Sequence, residues 1–194
     1  RKLGEGRMGE VYRALDTRLE RSVALKFLAE CIAGSAEDVT RVGREARAMA
    51  AINHPNIVTV YAVEQVGEVH FLAMELVEGD SLDRLIPERG MPVQEFLQLA
   101  IRLADGLTAA HGAGLVHRDL KTAHVMVSRA GRVKLLDLGL AVHHGVMPLV
   151  WDDRSVEPAV DSTALAELTT NDGAVAGTPA YMSPEQVLGQ AVDH

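Results

Sequence analysis

The chain has 194 residues, 47% hydrophobic and 4% aromatic, which suits a globular core of Leu, Val, Ala and Ile. Asp and Glu number 27 against 19 Lys and Arg, and the formal charge of −8 speaks against general nucleic-acid binding, which needs a basic footprint. One cysteine, Cys31, excludes an internal disulfide and fits a reducing, cytoplasmic setting; no apolar run reaches the roughly 18 residues needed to span a bilayer, and no signal peptide is visible.

In chain order, Gly4-Glu-Gly-Arg-Met-Gly9 followed by Val11 reads G-x-G-x-x-G-x-V. A dinucleotide-binding unit would open a helix straight after such glycines. Here Val11-Tyr-Arg-Ala14 has a strand pattern, so the loop is expected to join two strands. Residues 21–28 alternate, with Val23, Leu25 and Phe27 on one face and Ala24, Lys26 and Leu28 on the other. Residues 37–52 carry Val39, Val42, Ala46 and Met49 as a helical stripe, with Glu45 on or beside it. A carboxylate there needs a partner, and Lys26 is the expected one.

Residues 57–63 and 69–75 are expected to pair as strands across Gln65-Val-Gly67. Glu75-Leu-Val77 then connects two halves of the molecule, and Gly79-Asp-Ser81 reads as a loop whose Ser81 caps a short helix. From Pro92 to His111 apolar residues recur at helical spacing, and Gly112 and Gly114 stop the pattern. Short strands are expected at 115–117, 125–127 and 133–136, with a turn at Gly131. Residues 137–185 are long for a loop. Within them 143–176 lacks periodicity and reads as mobile, anchored locally by Leu149 and Trp151.

The chemistry concentrates in Leu115-Val-His-Arg-Asp-Leu-Lys-Thr-Ala-His124, which follows H-R-D-x-x-x-x-N except at its last position, where His124 stands for Asn. Val23-Ala-Leu-Lys26 fits the strand-lysine motif, and Asp137-Leu-Gly139 the D-F-G motif. Ser183-Pro-Glu185 occupies the A-P-E position, and His54-Pro-Asn-Ile-Val58 follows the helix that carries Glu45. Six signals in this order, over essentially the whole chain, resemble the bacterial Ser/Thr protein kinases related to the eukaryotic ones.

The resemblance implies an α+β, two-lobed fold. Residues 1–76 would form a small antiparallel-sheet lobe with one helix and an incomplete first strand. Residues 77–194 would form a mainly helical larger lobe, truncated at its C-terminal part and including an activation segment at 137–185. Both ends are expected to be cut, so that this is a piece of a longer protein that could reach a membrane only through segments outside it.

The resemblance also implies ATP and Mg²⁺. Leu3, Gly4, Gly6, Gly9, Val11, Ala24, Met74, Glu75, Val77 and Met126 would surround the nucleotide, with Arg7 and Met8 at the loop tip. Lys26, fixed by Glu45, would hold phosphates. Asp119 would orient the acceptor hydroxyl, Lys121 would stabilise the transferring group, and Asp137 would bind the metal. Leu138 would join His117, Met49 and Val60 in a stack between the lobes. Arg118 would receive a phosphate placed on Thr169 or Thr170, and Thr178 would shape the peptide groove.

The departures are Thr122, where the family has Pro, and His124. Imidazole is a softer donor than Mg²⁺ prefers, so the ring could instead donate to Asp119 or to a phosphate, accept Mn²⁺, or leave one metal site empty. The leading expectation is an active Ser/Thr kinase acting on protein substrates, with a homodimer for trans-autophosphorylation. A pseudokinase that binds nucleotide or partners is the second reading. A small-molecule phosphotransferase is the third, disfavoured by the peptide-docking look of Gly177-Thr-Pro-Ala-Tyr-Met-Ser-Pro-Glu185.

Overall fold

The structure is a computed structural model that describes residues 1–6, 9–28, 36–67, 69–138 and 179–187. Five antiparallel strands form the first sheet: β1 (Lys2–Gly6), β2 (Gly9–Asp16), β3 (Arg21–Leu28), β4 (Val60–Val66) and β5 (Val69–Glu75). Their order is β1-β2-β3-β5-β4. The register sorts the side chains. Val11, Lys26 and Leu72 lie opposite one another, as do Ala24, Met74 and Val60. Because β3 alternates, both rows share one face. Lys26, Leu72, Ala24, Met74 and Val60 are all buried. The other face carries an aromatic row, Tyr12, Phe27 and Phe71, with centroids 5.6 and 5.5 Å apart.

Helix α1 (Ala36–Ala50) packs beside β4. Its Ala46 and Met49 are fully or almost fully buried, as the apolar stripe requires. After the connection at residues 76–78, β6 (Gly79–Ser81) leads into the single-turn α2 (Leu82–Leu85) and then the long α3 (Val93–Gly112). A 3-10 turn, Thr122–His124, precedes β7 (Val125–Ser128) and β8 (Val133–Leu135), and β6-β7-β8 make a second sheet. A 3-10 turn at Pro179–Tyr181 and a helical turn at Pro184–Val187 complete the described elements.

Three sequence expectations are corrected. Gly79-Asp-Ser81 is a strand, not a loop, paired with Ser128, Val127 and Met126. Only glycine fits at its start, since a Cβ on Gly79 would sit 2.1 Å from the carbonyl oxygen of Val127. Ser81 does occupy the position before α2, but its side chain makes no capping bond. Residues 115–117 form no strand. They run as irregular chain held by hydrogen bonds such as Leu115 N to Ala110 O (3.0 Å). Gly79→Ala is expected to destabilise the protein by about 2–3 kcal/mol, at the upper end for overpacking because the obstacle is backbone. Denaturant unfolding of the full-length protein checks this, and an unchanged midpoint would contradict it.

The segment after α1 belongs, by its bonding, to the later half of the chain. His54 Nε2 lies 3.3 Å from Asp105 Oδ2 on α3. Asn56 Nδ2 donates to Val133 O (3.1 Å), and Leu135 N donates back to Asn56 O (2.8 Å). Val58 N donates to Leu135 O (3.0 Å). Gly106 makes room for this segment, for a Cβ there would come within 3.2 Å of Asn56 O. Ile57 and Val58, each 1% exposed, enter the same buried cluster as Val133, Leu135 and Leu138.

Candidate active site

The sheet supplies one wall. Val11 and Val77 pack against the buried cluster that contains Ala24 and Met74. Leu3 stands at the exposed rim. Gly9 has φ 123°, a conformation other residues rarely adopt, where β2 leaves the glycine loop. A Cβ on Gly4 would meet open space. Met126, half-buried on β7, lies outside that cluster. Glu75 falls on the opposite face of β5 from Met74. Its carboxylate accepts from Lys134 Nζ (2.7 Å) and Thr59 N (3.2 Å).

The opposing wall comes from the irregular chain around Asp119 and from Asp137 after β8. Arg118 and Asp137 have φ of 65° and 57°, and among the described residues only Glu20 is another non-glycine with positive φ. Left-handed backbone at such residues costs energy and clusters at working sites. Asp119 N donates to His117 O (2.8 Å), which tightens the turn and buries the Asp119 side chain. Lys121 Nζ donates to Asp119 Oδ2 (2.9 Å). Asp119 Oδ1 is buried and has no hydrogen-bond partner among the described residues. Such an orphan acceptor asks for an explanation.

Lys26 Nζ reaches across to Asp137 Oδ1 at 2.7 Å. Burial pushes the Asp137 carboxyl up, but the Lys26 ammonium outweighs it, by charge and by hydrogen bond, and holds the group below its ordinary range. Asp137 is therefore ionised at neutral pH. His124 is fixed by its backbone, since its N–H donates to Lys121 O (2.9 Å) and its carbonyl accepts from Leu136 N (2.8 Å). Its ring bonds the carbonyl of Asp119 through Nδ1 (2.8 Å), and Nε2 lies 3.7 Å from Asp137 Oδ2. Burial lowers its pKa against the pull of Asp137, so the ring is neutral at pH 7. The nearly parallel His117 ring, 5.7 Å away, is likewise lowered by burial and then by His124. Its Nε2 donates to Leu136 O (2.9 Å).

Each member of the expected Lys26–Glu45 pair has an ionic partner of its own across the site. Glu45 Oε1 lies 3.2 Å from Arg118 Nη1, while Lys26 meets Asp137. A guanidinium with left-handed backbone turns toward α1 and meets the carboxylate there. Met49, Val60 and Leu138 share one buried cluster, and His117 is buried as well. Thr122 Oγ1 is 3.0 Å from the Tyr181 hydroxyl, and Gln186 Nε2 donates to Arg118 O. These contacts tie the segment after 178 to the loop around Asp119. Arg7, Met8, Leu149, Trp151, Thr169, Thr170 and Thr178 lie outside the described residues.

Sequence reasoning overlooked Lys134, which joins the two walls from behind. Its ammonium bonds Glu75 and the Ile57 carbonyl (3.1 Å) while the residue is 9% exposed. The signal was present as a lone cation between Val133 and Leu135 in an apolar run.

A site that holds a buried lysine against an ionised aspartate, with a second buried aspartate that keeps an unpartnered oxygen among the described residues, is suited to positioning phosphates and a hydroxyl. Comparison with known proteins agrees. The chain belongs to the protein kinase domain family, whose description matches residues 1–194. Serine/threonine-protein kinase PknL of Mycobacterium tuberculosis is 41% identical over 187 residues, 96% of this chain and 42% of the relative. Serine/threonine-protein kinase pkn2 of Myxococcus xanthus is 39% identical, over 100% of this chain and 22% of the relative. The crystal structure of the Mycobacterium tuberculosis PknI kinase domain superposes with a TM-score of 0.67 at 32% identity, covering 76% of this chain and 61% of that one. The chain thus spans less than half the length of these two curated relatives.

Proposed function

We propose that the full-length protein is a Ser/Thr protein kinase that transfers the γ-phosphoryl group of ATP to hydroxyls of protein substrates. Curated relatives named as such kinases support this, and the observation that carries it is the buried, unpartnered Asp119 Oδ1. In this reading that oxygen receives the proton of the acceptor hydroxyl and aims its lone pair. Lys121 neutralises charge beside it. Lys26 holds phosphate oxygens, and Val11, Ala24, Met74, Val77 and Met126 enclose the base, with the Gly4–Gly9 loop above. The residues fit a divalent cation, since Asp137 offers an ionised oxygen. When bound, that ion neutralises charge on the phosphates.

Residues 1–76 and 77–194 act as two lobes around this cleft. Glu45 holds Lys26 in the active arrangement, as the sequence pattern expects. A phosphate on Thr169 or Thr170 then competes with Glu45 for Arg118. A second copy of the chain delivers that phosphate, in the cytoplasm.

The test is autophosphorylation of the full-length protein with Mg²⁺ and with Mn²⁺, mapped by mass spectrometry. Phosphate is expected on Thr169 or Thr170. Nucleotide binding with no transfer in either metal would leave a signalling module without catalysis.

A further inference from the structure

His124 is the one residue of the cleft that departs from the family pattern and lies within reach of both aspartates. A carbonyl oxygen only accepts hydrogen bonds. The 2.8 Å contact with Asp119 O therefore puts the proton of the neutral ring on Nδ1. Nε2 then carries a lone pair, and it lies on the Asp137 side, 3.7 Å from Oδ2. Neighbouring donors about 2.1 Å from one octahedral ion stand about 3.0 Å apart, so Nε2 and Oδ2, at 3.7 Å, need to close by less than about 1 Å to share a cation. The other ring atom, bonded to backbone, fixes the tautomer in the manner of metal-ligating histidines.

We infer that His124 Nε2 is a metal ligand that, with Asp137 Oδ2, makes this site select Mn²⁺ over Mg²⁺. The inference rests on the kinase reading for the nucleotide whose phosphates complete the shell. Among the described residues no three His, Cys, Asp or Glu side chains gather to hold an ion alone. Phosphate oxygens must supply the remaining positions. Mg²⁺ keeps to oxygen donors in near-octahedral geometry, whereas imidazole suits transition-metal ions. The ring is positioned in advance. Its peptide is bonded on both sides, to Lys121 and to Leu136, and its face lies along His117.

Pulsed electron paramagnetic resonance of the full-length protein with Mn²⁺ and a non-hydrolysable ATP analogue reads the bond directly. Nitrogen-14 modulation from a coordinated imidazole is expected in the wild type and should vanish in His124→Asn. Titration calorimetry of the analogue in each metal should show the Mn²⁺-over-Mg²⁺ preference falling about tenfold or more in that variant, one ligand exchange being worth at least about 1.4 kcal/mol. A bound Mn²⁺–nucleotide complex without nitrogen modulation, or with the same modulation in the Asn variant, overturns the inference. Failure of both proteins to bind nucleotide overturns the kinase reading instead.

Discussion

Lys26→Met is expected to lower phosphotransfer by about 10²–10³-fold or more, the cost of removing one preorganised charge-stabilising group from a transition state. Lys26 is 3% exposed, and its ammonium lies 2.7 Å from Asp137. Methionine fills the same space between Val11 and Leu72 without the charge, so the sheet should persist. The Asp137 carboxyl would then lose the cation that outweighs its burial. Phosphate release onto a protein substrate, measured beside circular dichroism, separates the two effects. Wild-type turnover in the variant would remove Lys26 from the mechanism.

Asp119→Asn is expected to lower kcat by about 10²–10⁴-fold, the range for loss of a positioned proton acceptor. The amide has the shape of the carboxylate, but one of its two positions only donates. With the NH2 at the Oδ1 position the orphan acceptor would be lost, and with the NH2 at the Oδ2 position the Lys121 ammonium would face a donor and lose its bond. Lys121 is partly exposed, so the stability change should stay within about 1 kcal/mol. Nucleotide affinity should hold, since Asp119 makes no bond to Lys26 or to Asp137 among those described. A variant with unchanged kcat and unchanged affinity would show that the buried oxygen has no chemical task.

Where periodicity is long, the sequence is legible. Strand β3 spans 21–28, as its alternation predicts, and α3 runs 93–112 against an expected 92–111. Strand β4 begins at Val60 rather than residue 57, because 57 and 58 are claimed by β8. A three-residue strand such as β6 is too short for any period, and its pairing depends on a glycine meeting a distant backbone. Catalytic motifs could be read because their spacing within one loop is local. The Arg118–Glu45 contact could not be read that way, since the two are 73 residues apart and their meeting depends on a left-handed backbone at 118 that no residue type announces.

The bonding of residues 54–58 gives the cleft a second bearing. The connection at 76–78 is one point about which the five-stranded sheet can tilt. The strap from His54 to Val58, riveted to Asp105, Val133 and Leu135, is another. Lys134 clamps both, with one bond to Ile57 and one to Glu75. With attachments at two places rather than one, any tilt of the sheet against the later half of the chain has to bend or break bonds at both.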